Sequence, residues 1–169
     1  INNILDLATL DAGAMTLTLG PVDVRKAIDA AAEGIQDRLA RSHLKLDLDI
    51  DPRVGTFTAD ERRIVQILYN LLANAVKYTE PGGRITLRAG QVGGQMEVRV
   101  ADTGRGIPPA DVPHIFERFY RADKARTREQ GGTGLGLSIV KHIVQLHGGT
   151  VAAESRYGEG TAIILRLPL

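Results

Sequence analysis

One predicted helix carries a row of polar side chains beside its apolar stripe. Asn70, Asn74 and Lys77 recur at intervals of four and three residues, so a helix places them next to one another. Two amides and an ammonium in line can hold a hydrated Mg²⁺ ion together with phosphate oxygens, because Mg²⁺ takes few protein oxygens and keeps its waters. The same pattern is also typical of a solvated helix edge.

A second candidate is the acid at the end of a predicted strand. Apolar residues alternate from Met96 to Val100, and the same period carries Asp102 to the inward face. An unpaired carboxylate is costly to bury, so a donor from the protein or from a ligand must meet it. The alternative is that Asp102 only forms a turn before Gly104. Gly106 favours a ligand, because two glycines spaced Gly-x-Gly let the backbone pass close to a flat molecule.

The third candidate is the glycine-rich stretch GGTGLG at 131 to 136, which runs directly into a predicted helix. Helix N-termini expose unpaired N–H groups and a partial positive charge, and small residues leave room for an anion to approach. The stretch is therefore a candidate phosphate cradle. Its spacing matches neither the Rossmann nor the P-loop fingerprint, and the alternative is a flexible hinge.

The composition narrows the classes of function. Lys and Arg number 21 against 20 for Asp and Glu, and a net charge of +1 provides no broad electrostatic footprint for nucleic acid. The absence of cysteine excludes disulfides and thiolate metal sites. No apolar run approaches the roughly 18 residues that a membrane span needs, and no signal peptide is visible.

The opening residues have the apolar spacing of a helix from the first residue onward. Apolar residues at helical spacing start at Ile1 and fade near residues 11 to 13. Because this pattern has no beginning of its own, we expect the sequence to be a piece of a longer chain. Gly20 and Pro21 punctuate a connector after the helix, and we place a domain boundary there.

The remaining elements predict two layers. Three further segments have helical spacing: residues 24 to 39, about 60 to 78, and about 133 to 147. Asp23 can cap the first, Thr58 and Glu61 are spaced as a capping box for the second, and Gly148 and Gly149 stop the third. Apolar alternation predicts strands at 44 to 50, 85 to 87, 96 to 100 and 163 to 167. Such strands have one covered face and one wetter face, so the helices should cover one side of a mixed or antiparallel sheet.

Five motifs, taken in order, resemble those of one family: NLLANAVKYT (70 to 79), DTGRGIP (102 to 108), FERFYR (116 to 121), GGTGLGLS (131 to 138) and GEGT (158 to 161). The chain resembles the catalytic ATP-binding domain of bacterial sensor histidine kinases, of the Bergerat or GHKL type, over residues 21 to 169. ILDLATLDAG (4 to 13) resembles the end of the dimerisation helix that precedes this domain, so residues 1 to 20 would be that helix end and its connector.

The resemblance implies an α+β fold with a two-layer sandwich architecture. It implies a mixed, mostly antiparallel sheet with about three helices on one face, plus the N-terminal helix. Residues 104 to 132, which have weak periodicity, would contain a lid over the nucleotide, and long segments of this kind are usually lids or disordered.

The resemblance also implies roles for charged and amide side chains. Asn74, with Asn70 beside it, would ligate Mg²⁺, and Lys77 would reach phosphate. Arg121, or Arg118 in its place, would contact the γ-phosphate. A solvated charge run explains both arginines equally well.

The remaining roles implied by the resemblance concern the nucleotide itself. Asp102 would accept a hydrogen bond from the adenine amino group, and Tyr78 would pack against the nucleotide. Phe116 and Phe119 would anchor the lid, although core packing of a short amphipathic turn also explains both. The other residues implied to line the nucleotide are Gly104, Gly106, Ile107, Gly132, Thr133, Gly134, Leu135, Gly136, Leu137, Gly158, Gly160 and Thr161.

The family comparison also limits the chemistry. Related hydrolases carry Glu at the position of Asn70, where it activates water, and an amide cannot act as that base. Efficient ATP hydrolysis by this chain is therefore not expected. The acceptor is expected to be a histidine imidazole outside the chain. The four histidines present are interpreted as surface or helix-end residues: His43, His114, His142 and His147.

These observations lead to a predicted function with two alternatives. We expect a domain that binds ATP and Mg²⁺ and transfers the γ-phosphoryl group to an upstream histidine. Its partners would be the dimerisation and histidine-phosphotransfer domain of the same or a sister chain and a response regulator, in a cytoplasmic part of a dimeric parent protein that can be membrane-anchored. The alternatives are a pseudokinase or scaffold of the same fold, and an anti-sigma-factor serine kinase, whose start the opening helix does not resemble.

Overall fold

The computed structural model describes residues 15 to 117, residue 120 and residues 136 to 169. The predicted opening helix lies outside the described residues. So do Arg118, Phe119 and Arg121 of the predicted lid, and the glycine-rich stretch up to residue 135.

The described residues form seven strands and three α-helices. The strands are β1 (Gly20–Asp23), β2 (Lys45–Ile50), β3 (Thr56–Ala59), β4 (Arg84–Val92), β5 (Gln95–Asp102), β6 (Thr150–Arg156) and β7 (Gly160–Pro168). The helices are α1 (Val24–Arg41), α2 (Glu61–Tyr78) and α3 (Gly136–Leu146), and a short 3₁₀ helix spans Val112–His114. The four predicted strands correspond to β2, β4, β5 and β7, and are confirmed.

The main sheet has five strands in the order β2-β4-β5-β7-β6. The β2 and β4 strands pair in parallel, and the other neighbours are antiparallel. β1 and β3 form a separate two-stranded antiparallel sheet. The mixed, mostly antiparallel sheet is therefore confirmed.

The three helices cover one face of this sheet. The stripes of α1, α2 and α3 are buried against the inward residues of β4, β5 and β7, among them Leu87, Val98 and Leu165. The opposite face carries cross-strand ion pairs, such as Arg84 with Asp47 at 3.0 Å. Apolar side chains are buried away from water on one face of the sheet, and charged side chains stay hydrated on the other face. The predicted two-layer sandwich is therefore confirmed.

Helix boundaries agree with the sequence in two places and differ in one. Asp23 caps α1 by accepting the N–H of Lys26, and α3 ends before Gly148, as predicted. The predicted capping box at α2 is wrong. Thr58 lies in β3, where it pairs with Pro21, and Asp60 is the N-cap of α2 instead. The cause is that pairing with β1 keeps the chain extended through Ala59.

The predicted connector also differs from the structure. Gly20 and Pro21 open β1, pairing with Ala59 and Thr58. Proline is tolerated there because the small sheet has only edge strands. The domain boundary that we placed at these residues stays a prediction.

Candidate functional site

The polar row lies on α2 as the spacing predicts. Asn70, Asn74 and Lys77 are half-buried, whereas the apolar stripe, which includes Leu71 and Ala75, is buried. The polar row therefore lies at the boundary between the core and solvent. The three polar side chains are therefore neither fully solvated nor part of the apolar core.

Asn70 has an unusual hydrogen-bonding state. Its Nδ2 atom is buried and has no hydrogen-bond partner among the described residues. A buried donor without a partner costs about 1 to 3 kcal/mol, and native proteins keep few of them. Asn70 therefore fits a position that binds a further group better than it fits a solvated helix edge.

Asp102 ends β5, between Ile85 of β4 and Thr161 of β7. It is half-buried, and its Oδ1 atom accepts the N–H of Gly104 at 2.8 Å. Burial raises the pKa of the Asp102 carboxyl above its ordinary value, and the N–H groups of Gly104 and Thr161 oppose that rise. Asp102 therefore forms the turn, as the alternative interpretation requires, and its carboxylate is also poorly solvated. Its contact with a ligand stays a prediction.

The glycines around Asp102 permit close backbone approach within the protein. A Cβ on Gly104 would overlap the carbonyl of Tyr78, and one on Gly106, at φ 75°, would overlap the carbonyl of Arg156. A Cβ on Gly160 would overlap the carbonyl of Asp102 itself. These glycines bring the end of β5, the C-terminal end of α2 and the β6–β7 turn together. Their role in lining a base pocket stays a prediction.

Tyr78 lies at this junction near two cations. The Nζ atom of Lys77 is 5.7 Å from the centre of the Tyr78 ring, and the Cζ atom of Arg105 is 5.6 Å from it. Both distances suit cation–π attraction. Arg105 was not predicted, because within DTGRGIP only the acid, the two glycines and Ile107 were assigned a function.

Ser155 is a second residue that sequence reasoning missed. Its hydroxyl accepts the N–H of Ile107 at 2.7 Å and lies 3.0 Å from both the carbonyl oxygen of Gly160 and the Oγ1 of Thr161. It therefore joins the loop after β5 to the β6–β7 turn, and places Ile107 and Thr161 side by side. No local signal marks this serine, because its partners are distant in sequence.

Replacing Ser155 by Ala is expected to lower the free energy of unfolding by about 1 to 2 kcal/mol, because the N–H of Ile107 loses its acceptor. Chemical denaturation would measure this change. The matched control is Thr150→Ala, an exposed position on the same strand, for which the change should stay within about 0.5 kcal/mol. Equal changes in the two variants would contradict the assigned role of Ser155.

The described part of the predicted lid includes an aromatic residue that packs against the core. Phe116 packs against the hydrophobic core beside the buried Ile115, as the alternative interpretation of Phe116 requires. The Tyr120 hydroxyl donates to Asp111, which raises the pKa of that phenol. The anchoring role of Phe116 stays a prediction.

The helix α3 packs against α2. Gly136 is its first described residue, and a Cβ on it would meet no described atom within 4 Å, so described packing does not require glycine there. Leu137 packs partly against the core. The other cradle residues lie outside the described residues: Gly132, Thr133, Gly134 and Leu135.

Three of the four histidines are exposed or follow a helix end, and His142 is not. His43 and His114 are exposed, and His43 lies in the turn before β2 rather than in the strand. His142 is a half-buried residue of α3. His147 follows α3 and hydrogen-bonds through both ring nitrogens, to the N–H of Asp60 and to the carbonyl of Ile143.

The site as a whole combines an acceptor, an aromatic ring and an amide row. Asp102 is connected to α2 through Gly104, which touches the last residue of the helix that carries Asn70 and Asn74. No group of three His, Cys, Asp or Glu side chains within the described ranges could hold a metal ion. Of the helices that the structure describes, none is long and apolar enough to span a membrane.

Comparison with known proteins identifies a family for this chain. Residues 59 to 169 match the model of the family described as histidine kinase-, DNA gyrase B-, and HSP90-like ATPase. The circadian input-output histidine kinase CikA of Synechococcus elongatus is 41% identical over 170 residues, covering 99% of this chain and 22% of its own length. The sensor histidine kinase YkoH of Bacillus subtilis is 42% identical over 165 residues, covering 98% of this chain and 35% of its own length.

Solved structures extend the likeness to three dimensions. The full-length structure of ShkA in complex with AMPPNP matches with a TM-score of 0.87 and 34% identity, over 99% of this chain and 34% of that chain. The chain therefore spans only about a fifth to a third of the length of these relatives.

Proposed function

The chain belongs to the family of histidine kinase-, DNA gyrase B-, and HSP90-like ATPases, as an ATP-binding catalytic domain of the sensor histidine kinase type, and from this we propose that it transfers the γ-phosphoryl group of ATP to a histidine outside the chain. One observation carries the proposal. Asp102, whose carboxylate is poorly solvated, is held by Gly104 against the end of the helix that carries the amide row. This contact supports a single site that combines an acceptor for a purine amino group with ligands for a triphosphate.

The adenine side of the site uses residues that the structure brings together. We propose that the carboxylate of Asp102 accepts a hydrogen bond from the adenine amino group, which supplies the solvation that burial removes. Tyr78 would pack against the nucleotide, and its ring lies near the cations of Lys77 and Arg105. The other adenine-side residues of the proposal are Gly104, Gly106, Ile107, Gly158, Gly160 and Thr161.

The residues on α2 fit Mg²⁺ that arrives bound to ATP. Asn70 and Asn74 provide neutral amide oxygens, so the triphosphate must supply the negative charge that Mg²⁺ requires. The Nδ2 atom of Asn70, which is buried without a partner among the described residues, is a donor, so it supports the binding of an acceptor such as a phosphate oxygen rather than of the metal ion itself. When bound, Mg²⁺ would neutralise charge on the β- and γ-phosphates.

The protein's own contribution to the reaction is placement and charge. A neutral imidazole nitrogen attacks the γ-phosphorus, the bond from that phosphorus to the bridging oxygen breaks, and ADP leaves with the electron pair. Lys77, and Arg121 or Arg118, would stabilise the charge that develops on the transferred group. Gly132 to Leu137 would hold the triphosphate at the start of α3. Because Asn70 cannot act as a base towards water, we propose that hydrolysis is slow.

The wider assignment is also part of this proposal. Residues 1 to 20 would end a dimerisation helix, and residues 21 to 169 would form the catalytic domain. A dimerisation and histidine-phosphotransfer domain and a response regulator would be its partners, in a homodimeric parent. Because ATP is a cytoplasmic nucleotide, we propose that this domain works in the cytoplasm.

The test combines binding with transfer. Calorimetric titration of the chain should show binding of ATP that strengthens with Mg²⁺, and the full-length polypeptide should form acid-labile phosphohistidine from γ-labelled ATP. Failure to bind ATP would contradict the proposal. Binding without phosphohistidine in the full-length polypeptide would favour the pseudokinase or scaffold.

A further inference from the structure

The N-terminal end of α2 is held by a residue that contacts three segments of the fold. Asp60 is buried, and its Oδ1 atom accepts the N–H of Arg63 at 3.2 Å, which caps the helix. Its Oδ2 atom accepts the N–H of Thr18 at 2.8 Å. Its own N–H donates to Nε2 of His147 at 3.1 Å. All three hydrogen bonds therefore depend on one residue outside the nucleotide site.

The segment before β1, residues 15 to 19, is docked on the domain at this point. Met15 is buried in the core, and Gly20 pairs with Ala59 in the small sheet. The N–H of Thr18 lies between these two fixed points. The side chains of Thr18 and Leu19 are exposed, so the backbone rather than side-chain burial holds this part of the segment.

His147 connects the same residue to α3. Its Nδ1 atom donates to the carbonyl of Ile143 at 2.9 Å, which leaves a lone pair on Nε2 for the N–H of Asp60. The helix that follows the glycine-rich stretch is thereby tied to the start of the helix that carries the amide row. Asp60 therefore connects α2, α3 and the segment 15 to 19.

We propose that Asp60 is a positioning residue, which fixes the direction in which residues 15 to 19 leave the ATP-binding domain and so aims the bound nucleotide at the upstream histidine. The inference rests on the proposed function. Phosphoryl transfer depends on placement, and an error of about 1 Å can cost about 100-fold in rate. A carboxylate suits this position because each oxygen accepts from a different segment, whereas an amide has a single acceptor.

Asp60→Asn separates this role from helix capping. Asn is as good an N-cap as Asp, but its Nδ2 cannot accept the N–H of Thr18. We expect amide exchange of Thr18 to become about tenfold faster. The dissociation constant for ATP should stay within about twofold, while phosphorylation of the histidine at saturating ATP in the full-length polypeptide slows by about tenfold.

Three further variants control the experiment. Asp60→Ala should slow phosphorylation equally and also lower stability, because it removes the cap. His147→Leu should slow phosphorylation, and His147→Gln, which keeps an acceptor, should restore it.

Two results would overturn the inference: unchanged phosphorylation in Asp60→Asn, or unchanged exchange at Thr18. A wild-type chain that does not bind ATP would instead overturn the proposed function.

Discussion

Asp102→Asn is expected to weaken the binding of adenine nucleotides by about 100-fold, because an amide nitrogen replaces a charged acceptor opposite the adenine amino group. The amide oxygen can still accept the N–H of Gly104, so the turn after β5 survives. The free energy of unfolding without nucleotide should therefore not fall. Calorimetric titration with ATP and Mg²⁺, and chemical denaturation, measure the two effects separately.

The pH dependence of stability gives this prediction a second test. The pKa of Asp102 is raised above its ordinary value of 3.8, chiefly by burial. The stability that this residue contributes is therefore fully present below about pH 4 and is lost as pH rises through the raised pKa. The asparagine side chain of the variant does not titrate, so the stability of Asp102→Asn relative to the wild type should rise over that interval.

The matched control for Asp102 is Asp47→Asn on the exposed face of the sheet. Asp47 pairs there with Arg84, with both side chains more than half exposed, and such pairs contribute little. The control should bind ATP like the wild type. Equal ATP affinity in Asp102→Asn and the wild type would contradict the assignment of Asp102.

Asn70→Leu is expected to stabilise the domain without nucleotide while slowing phosphohistidine formation in the full-length polypeptide by about 100-fold. The Nδ2 atom of Asn70 is buried without a described partner, so an apolar side chain of similar size removes a cost of about 1 kcal/mol. The same change removes an amide oxygen from the proposed Mg²⁺ ligands. A gain in stability together with a loss of function is the signature of a residue kept for its ligand.

Arg62→Leu is the control for this substitution, because Arg62 is an exposed residue of the same helix. It should leave both phosphorylation and the Mg²⁺ dependence of ATP binding unchanged. Asn70→Leu with wild-type phosphorylation, or with a marked loss of stability, would contradict the proposed role of Asn70.

The parts of the fold that follow a long periodic pattern could be predicted from the sequence. The apolar stripe of α2 and the apolar alternation along β5 can be recognised from the local sequence alone. The residues that pack against them only need to be apolar, so their identity does not have to be known. β1 and β3 have four residues each, and β6 contains Val151, Ala152 and Ala153 in a weakly alternating run. Short pairings of this kind depend on the partner strand, so local propensity does not reveal them.

The same distinction applies to the site. The inward position of Asp102 could be predicted, because side chains alternate between the two faces of a strand. The amide row could be predicted, because residues three and four apart lie on the same side of a helix. Ser155 could not be predicted, nor could the contacts of Asp60 with Thr18 and His147, because these partners are distant in sequence. Thr58 misled us for the same reason, since a capping-box spacing does not show that β3 competes for the residue.

The central claim is that Asp102, the amide row of α2 and the start of α3 bind one Mg²⁺-nucleotide together. An NMR titration of the chain with AMPPNP and Mg²⁺ tests it most directly. We predict that the backbone amide of Gly104, the side-chain amides of Asn70 and Asn74, and the backbone amide of Gly136 shift along one binding curve with a single dissociation constant. Shifts confined to one of these three places, or separate curves for them, would contradict the claim.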